Sequence, residues 1–410
     1  MRIAATKLPP VRPIQGLTVN LSKISYDLTA VTMGIHALER QRNDGNSLLD
    51  GEGLVPIYTG GDLVTPRPYS DWESPKQDLK QLRAALESVV PGERRTFLEG
   101  MIASLLLAVR LFSGGSPTYE QKVIDLVGAA RGHEDAGMIA GSRDRIDRLL
   151  ARMGFVRGSL AERVRNWEED RAVSDANLSA VLDELMAEAK KRTDEMIFDT
   201  GDFEMEIRPV RDVPYPALCA FAERRVDLNV DLLLSRSALK HLICHNIYPG
   251  HATHALYAHA EVVAGRSTFD ALLISANALT GCVQEGIADQ GIYLIDWMED
   301  EDDALAAELR GLRSACQTSA TWAYMAEGQP AEQTVKYLRD TALGQDAWVR
   351  GRLRSAAHPF KGPFAASFWA GNEVVRRVRE RVPDANRPDF IRYLYGRAHS
   401  PQSLEMYQAT

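Results

Sequence analysis

Several features that mark specialised protein classes are scarce in this sequence. Its 410 residues include only four cysteines, Cys219, Cys244, Cys282 and Cys316, and no two of them form a C-x-x-C pair. Their spacing excludes a zinc ribbon or a thioredoxin-like motif, and their scarcity favours a reducing compartment. Basic residues are also in deficit, since 48 lysines and arginines face 56 acidic residues and the net charge is -8. That balance argues against nucleic-acid binding, which requires a basic surface.

Long apolar segments are scarce as well. The first residues, MRIAATKLPPVRPIQG, contain no apolar core of the kind that a signal peptide has. The apolar run at 102–112 is interrupted by Ser104 and Arg110 and is too short to cross a bilayer. These observations predict a cytoplasmic protein that does not bind a membrane. Hydrophobic residues still make up 45% of the chain, which is enough for a sizeable core.

Apolar residues recur with helical spacing over most of the chain, so the predicted fold class is mainly α. The exception is the alternation of apolar and charged residues at 203–207, which predicts a minor β element near residues 203–209. Residues 1–200 are expected to form an N-terminal helical region. It contains a Gly/Pro-rich loop at 42–72, either a long connection or a lid over a cleft. Residues 201–410 are expected to form a helical region that carries the functional site, and the two regions to form one integrated fold.

Histidine is concentrated in one segment. Five of the nine histidines fall within nineteen residues: His241, His245, His251, His254 and His259. Neutral imidazole is the commonest side-chain ligand of zinc and related metals, so the cluster predicts a metal site. A purely structural origin of the cluster is the alternative.

Spacing alone does not select the binding pair. His241 and His245 are four apart and lie about 40° from each other around a helix, as in H-E-x-x-H zinc sites. His251 and His254 are three apart and also lie near one face. His245 and His251 are six apart, about 240° around a regular helix, and converge only if Pro249 and Gly250 break the turn. On spacing, His241 with His245 is favoured.

A pair of carboxylates follows in an apolar segment. Glu285 and Asp289 are four apart, so they share one face of a helix. A glutamate from a second helix completes many H-E-x-x-H sites, and an aspartate one turn later can accept the far N–H of a ligand histidine. The alternative for Glu285, a capping or ion-paired carboxylate, fits so apolar a segment less well, because an unpaired buried charge is costly.

Residues 245–251, His-Asn-Ile-Tyr-Pro-Gly-His, resemble the H-E-x-x-P-G-H motif of the domain of unknown function 885 family. Those bacterial proteins are largely helical and metallopeptidase-like, and their pattern is related to that of gluzincins. The family's E-G-W-A segment is matched by Glu-Gly-Ile-Ala at 285–288, and residues 363–371 match more weakly. The resemblance covers residues 200–410. It implies a large helical metallopeptidase-like assembly with His245, His251 and Glu285 as ligands, rather than His241.

Two positions depart from the family's pattern. The motif glutamate, the general base of a zinc peptidase, is Asn246 here, and an amide cannot take up a proton. The position of the family's second histidine after P-G-H is occupied by Ala252.

Three explanations of the missing glutamate are open. In the first, the base is relocated, with His254 the best candidate and Asp289 a poorer one. In the second, the metal does other chemistry, with Asn246 as a hydrogen-bond donor. In the third, the chain is an inactive, metal-binding pseudo-peptidase.

The predicted function is metal-dependent hydrolysis of a peptide- or amide-like small substrate, with a small molecule or short peptide as partner. One divalent metal is expected, zinc first, with iron or manganese as alternatives because two histidines and a carboxylate also form the non-haem iron triad.

Tyr248 is a candidate donor to a developing oxyanion, with a packed tyrosine as the alternative. Arg376 is a candidate clamp for a substrate carboxylate, with a solvated helix face as the alternative. The sequence leaves the oligomeric state open.

Overall fold

The chain folds into a mainly helical assembly, which a computed structural model describes for residues 19–43, 45–50, 56–274 and 279–408. Helices account for 66% of the residues and strands for 5%, so the mainly α prediction is confirmed. None of the helices in these ranges combines the length and the apolar character that crossing a membrane requires.

The first half of the described chain forms seven helices. They are α1 (Val19–Arg42), α2 (Glu73–Ala85), α3 (Glu93–Phe112), α4 (Tyr119–Gln121), α5 (Ala136–Arg152), α6 (Leu160–Arg171) and α7 (Asp175–Met196). Helix α4 continues directly into a π-helical turn, Lys122–Val127. Capping boxes fix the starts of α4 and α6, where the side chains of Thr118 and Ser159 accept from the third helical N–H.

The second half adds the helices that surround the histidine cluster. They are α8 (Arg236–Asn246), α9 (His251–Val263), α10 (Leu279–Asp289), α11 (Gly291–Leu294), α12 (Glu301–Met325), α13 (Ala331–Asp340), α14 (Asp346–Ala356), α15 (Ala365–Glu380), α16 (Arg387–Tyr395) and α17 (Pro401–Glu405). The first two are separated by only four residues, so the break predicted at Pro249–Gly250 is present.

Five short strands form two small sheets. They are β1 (Ile57–Tyr58), β2 (Glu206–Val210), β3 (Ala217–Ala220), β4 (Arg225–Asn229) and β5 (Leu273–Ile274). The larger sheet has the order β2-β4-β3, with β2 parallel and β3 antiparallel to β4. Strand β2 lies where the minor β element is predicted. Strands β1 and β5 pair antiparallel, so part of the 42–72 segment is a sheet strand, while residues 44 and 51–55 of that segment lie outside the described ranges.

The hydrophobic core runs through both halves of the sequence. Side chains of α1 and α3, such as Leu28 and Phe97, share one buried cluster with Leu279, Trp322 and Phe360 from the second half. A second cluster packs α7, α8 and α9 against α15 and α16. The helices that carry the histidines are therefore held by the second cluster, while α10 contributes side chains to both clusters.

Candidate metal centre

The turn between α8 and α9 brings His245 and His251 to one place. Helix α8 ends because the N–H groups of Ile247 and Tyr248 both donate to the carbonyl of Ile243, which closes the last turn. Gly250 then passes so close to α8 that a Cβ on it would lie 1.8 Å from the carbonyl oxygen of His245. Only glycine fits this approach, which lets the chain fold back before α9 begins.

The side chains of His245, His251 and Glu285 meet at this turn. The Nε2 atoms of the two histidines are 3.2 Å apart. Nε2 of His245 lies 3.2 Å from Oε2 of Glu285, and Nε2 of His251 lies 3.4 Å from Oε1 of the same carboxylate. All three side chains are largely buried. The structure therefore brings together the three residues that the family resemblance implies as ligands.

The spacing of these atoms fits a metal ion. Zinc–ligand bonds of about 2.0–2.2 Å in tetrahedral geometry place donor atoms about 3.3–3.6 Å apart. The observed separations of 3.2–3.4 Å lie close to that range. Oε2 of Glu285 is buried without a properly oriented hydrogen-bond partner among the described residues, as expected for an oxygen that serves a cation. The donor set of two imidazoles and one carboxylate suits zinc and also non-haem iron.

Asp289 holds the ring of His245 from its other side. Its Oδ1 lies 2.9 Å from Nδ1 of His245 and 3.3 Å from Nε2 of His241. Burial raises the pKa of this carboxyl, but hydrogen bonds and charge interactions with the two histidines outweigh it, so the pKa lies well below its ordinary value. An ionised carboxylate only accepts, so Nδ1 of His245 carries the proton and its Nε2 faces Glu285 and His251.

The two partners of His245 also set its charge in the metal-free chain. Burial lowers the pKa of His245, but the hydrogen bond to Asp289 and the negative charges of Asp289 and Glu285 outweigh the effect of burial and raise the pKa to about 10. Burial likewise raises the pKa of Glu285, and the neighbouring His251 and His245 outweigh it and bring the pKa to about 2. A bound cation would replace the proton that His245 holds between these groups.

Backbone packing fixes the position of Glu285. The next residue, Gly286, lies against Gly371 of α15, and a Cβ on it would come within 2.1 Å of the carbonyl oxygen of Gly371. A Cβ on Gly371 would in turn come within 1.8 Å of the carbonyl oxygen of Cys282. Helices α10 and α15 therefore touch through their main chains, and the ligand stands on a rigid support.

The three candidate ligands line a cavity of about 710 Å³. Its walls come from β1, from the segment 215–223 that includes β3, from the loop before α8, and from α8, α9, α10, α12, α14 and α15. Aromatic and aliphatic side chains such as Leu218, Trp348 and Phe368 make much of this wall apolar. Part of the 42–72 segment, residues 56–58, lies in the wall. A cavity of this size suits a small-molecule or short-peptide substrate.

Besides the three candidate ligands, two residues predicted for the site lie in the cavity wall and three others lie elsewhere. Asp289 and Asn246 line the cavity, and Nδ2 of Asn246 donates to the carbonyl of Leu242 at 2.8 Å. Tyr248 is 1% exposed, and its hydroxyl donates to the carbonyl of Phe203. Tyr248 is therefore the packed tyrosine of the alternative interpretation, since its hydroxyl is committed to the core.

His254 and Arg376 also lie away from the donor atoms. His254 is buried with its ring against Tyr395, at a centroid distance of 5.5 Å, and burial lowers its pKa to about 3. A neutral ring in that packing is poorly placed to act as the relocated base. The guanidinium of Arg376 is paired with Glu373 and Glu380 along the surface of α15, which corresponds to the solvated helix face.

The sequence pattern did not single out the cationic residues of the cavity, Arg225, Arg310, Arg313 and Arg352. A usable signal was present in α12, where Arg310, Arg313 and Gln317 recur at spacings of three and four residues and so lie along one side of the helix. Such a polar stripe on a helix that is also partly apolar indicates either ion pairing or a polar cavity. For Arg352, which comes from a different helix, the sequence offers no comparable pattern.

Comparisons with known proteins support the fold alone. No family model matches the chain, and no curated protein matches it. A proposed lipoprotein from Colwellia psychrerythraea has a similar structure, with 14% identity, a TM-score of 0.57 and coverage of 82% of this chain and 68% of that one. A proposed lipoprotein of unknown function from Shewanella oneidensis has 14% identity, a TM-score of 0.50 and coverage of 82% and 72%. At this identity the likeness concerns architecture and not activity.

Proposed function

We propose that this chain is a metal-dependent enzyme that hydrolyses a peptide- or amide-like small substrate. The observation that carries the proposal is the set of donor atoms of His245, His251 and Glu285, which lie 3.2–3.4 Å apart at the wall of a cavity. Three protein ligands with a cavity beside them are typical of catalytic rather than structural metal sites, which usually have four. The resemblance to the domain of unknown function 885 family supports the same assignment.

Zinc is the metal that we propose first, with iron and manganese as alternatives. The hydrogen bond between Asp289 and His245 supports zinc, because a carboxylate behind a ligand histidine raises the basicity of the ring. When bound, the metal would polarise the substrate carbonyl and lower the pKa of water. In the hydrolysis the C–N bond breaks, the acyl carbon gains the hydroxyl of water, and the leaving nitrogen gains a proton.

The cavity wall offers a weak replacement for the glutamate of the family motif. Asn246 occupies that position and cannot take up a proton. Asp289 is engaged by two histidines, and His254 packs against Tyr395. Loss of a general base costs about 10²–10⁴ in rate. We therefore propose slow hydrolysis by an enzyme that activates water chiefly through its metal.

Asn246 also favours a second candidate, a metalloenzyme that does not hydrolyse its substrate. Its side chain is fixed by the bond to Leu242, so it presents a neutral polar group beside the ligand His245. Such a group orients a chelating substrate without taking its proton, as Lewis-acid or non-haem iron chemistry requires.

Metal analysis and a matched pair of variants test these proposals. Protein purified without chelator should hold about one metal ion per chain, as expected for three ligands with one open position. Asn246→Glu should raise hydrolysis of an N-acyl amino acid amide at least about tenfold, whereas Asn246→Gln, with the same length and no charge, should not. Metal-free protein would overturn both candidates. Bound metal with no hydrolysis in either variant would leave the non-hydrolytic candidate.

We also propose a cytoplasmic location, on the strength of the composition described above. The two structural neighbours are proposed lipoproteins, which makes membrane attachment the alternative to test. Fractionation of cells that express the natural gene would decide, because recovery with the membranes would contradict a cytoplasmic location.

A further inference from the structure

Most charges in the cavity wall are compensated by neighbours. The guanidinium of Arg313 lies 2.8 Å from Glu168, and that of Arg225 lies 2.8 Å from Asp227. Glu285 and Asp289 face the histidines of the candidate metal centre. One further acid, Glu223, lines the cavity but is exposed to solvent.

Two guanidinium groups form no ion pair with any acid that the structure describes. Within the described residues, no carboxylate lies at ion-pairing distance from Arg310 or Arg352, and both line the cavity. Arg352 is held by one hydrogen bond, from Nη2 to the carbonyl of Pro214 at 2.7 Å, and by a long contact of 3.5 Å from Nη1 to Gln317. Its Nε has no hydrogen-bond partner among the described residues. Donor capacity therefore remains on both groups.

Both groups stay charged at neutral pH although their surroundings oppose it. Burial lowers the pKa of Arg352 to about 10, partly offset by the charge of Glu285. Burial also lowers the pKa of Arg310. The ring centroids of Trp348 and Phe368 lie 5.8 and 6.0 Å from the Arg352 guanidinium, a favourable arrangement for a cation. Holding unpaired cations in a partly apolar cavity is costly, and an anionic ligand would remove that cost.

The positions of these arginines relate them to the metal centre. Arg310 interacts electrostatically with Asp289 and His241 behind the ligand His245, and Arg352 interacts with the ligand Glu285. An anionic group bound at Arg352, with Arg310 in the wall of the same cavity, would leave the rest of a small substrate in the cavity with the donor atoms.

We propose that Arg352 binds a carboxylate of the substrate, and that Arg310 in the wall of the same cavity adds longer-range attraction for the anion. The substrate class is then an amide or peptide with a free carboxylate, and the apolar wall takes its hydrophobic side chain or acyl group. This inference rests on the proposed function for the reaction, and the carboxylate site can be tested without it. Guanidinium groups bind carboxylates with paired, charge-assisted hydrogen bonds, which explains why arginine serves here.

The test compares two probes that differ only in charge, N-acetyl-phenylalanine and its amide. Their binding to zinc-loaded and to metal-free protein is measured by titration calorimetry. We expect the free acid to bind about 10- to 100-fold more tightly than the amide, as charged hydrogen bonds usually provide. Inorganic phosphate serves as a competitor. Displacement of the acid by phosphate at lower concentrations than by acetate would overturn the choice of a carboxylate.

Variants locate the binding site. Arg310→Gln and Arg352→Gln should each reduce the preference for the acid toward unity, whereas Arg350→Gln, an exposed arginine on the same helix as Arg352, should retain it. Zinc content, measured in each variant, should stay at the wild-type level. An acid-to-amide preference that survives in both cavity variants would contradict the inference.

The comparison of acid and amide binding to wild-type protein does not depend on whether the variants fold. Equal binding of acid and amide to wild-type protein overturns the carboxylate site, even if the protein binds zinc and hydrolyses amides. A preference for the acid that Arg310→Gln and Arg352→Gln abolish supports the site, even if the protein holds no metal and shows no hydrolysis. Failure of the inference and failure of the proposed function are therefore distinct results.

Discussion

Oδ1 of Asp289 lies 2.9 Å from Nδ1 of His245, one helical turn beyond the candidate ligand Glu285. One helix, α10, thus supplies a donor for the metal and an anchor for another donor. This arrangement ties the orientation of the histidine ring to the position of the glutamate.

Removing the charge of Asp289 should weaken metal binding without removing a ligand. For Asp289→Asn we expect affinity for zinc to fall about 10- to 100-fold, because the carboxylate no longer fixes the proton and the orientation of the His245 ring. Competition with a chromogenic chelator measures the change. Asp296→Asn, an exposed aspartate shortly after α10, is the control. Unchanged affinity in Asp289→Asn would show that the carboxylate has no role at the metal.

Two overlapping donor groups are present, and variants separate them. One contains His245, His251 and Glu285, and the other contains His241, His245 and Asp289. If the first group binds the metal, zinc at 100 times its Kd should stabilise wild-type protein by about 2.7 kcal/mol. His251→Ala and Glu285→Gln should lose most of this gain, while His241→Gln should keep it.

Thermal unfolding with and without zinc provides the measurement for these variants. Each is compared with its own metal-free form, which removes the effect of the substitution on packing. Retention of the zinc effect in His251→Ala, with its loss in His241→Gln, would assign the metal to the other group.

The main-chain contact between α10 and α15 should tolerate no side chain. Gly286→Ala would force a Cβ within 2.1 Å of a carbonyl oxygen, and we expect destabilisation by about 1–3 kcal/mol, as for other overpacked sites. Gly311→Ala is the control, since the nearest atom to its Cβ would be 4.0 Å away. It should be neutral or stabilising by up to about 1 kcal/mol, because alanine favours a helix. Urea unfolding of both variants checks the contrast, which equal stabilities would contradict.

Buried neutral histidine should make the metal-free protein sensitive to acid. The pKa of His254 is lowered from 6.5 to about 3 by burial and by the nearby His251. Below pH 6.5 the unfolded chain therefore binds a proton that the folded chain does not, so stability falls as the pH drops toward 3. His254→Gln should flatten this slope by up to about 1.4 kcal/mol per pH unit.

The measurement for His254 is the free energy of unfolding between pH 8 and 4. Loss of packing in His254→Gln displaces the whole curve, and the value at pH 8 measures that displacement. Only the slope below pH 6.5 reports the histidine, and an unchanged slope there would contradict the low pKa.

The sequence predicted the fold class because helical periodicity is a local property. In α3 (Glu93–Phe112), for example, apolar residues recur at helical spacing and are the residues that the fold buries. Strand β2 was likewise marked by its alternation. The strands that pair with β2 could not be predicted from the sequence, because β3 and β4 are short and show no clear alternation of apolar and polar residues. Strand pairing also depends on contacts between residues that are distant in sequence.

The candidate metal site could be predicted only in part from the sequence, because it too depends on contacts between residues that are distant in sequence. Helical spacing favoured His241 with His245, and the family motif together with the Pro249–Gly250 break pointed instead to His251. The close approach of Gly250 to α8 is a three-dimensional fact that spacing does not express. Arg376 was a candidate for substrate binding, but its guanidinium forms ion pairs with Glu373 and Glu380 on the surface. Arg352 lines the cavity instead, because the packing of α14 places it there.

The pairing of β1 with β5 has a consequence for how the cavity is made during synthesis. Ile57 pairs with Ile274, and both line the cavity, as does Phe368 much later in the chain. Contacts between such distant residues form slowly, because the long loop between them must close, with a loss of entropy, before the contacts stabilise the chain. A growing chain therefore cannot complete the cavity until residue 368 has left the ribosome, long after the first helices have emerged.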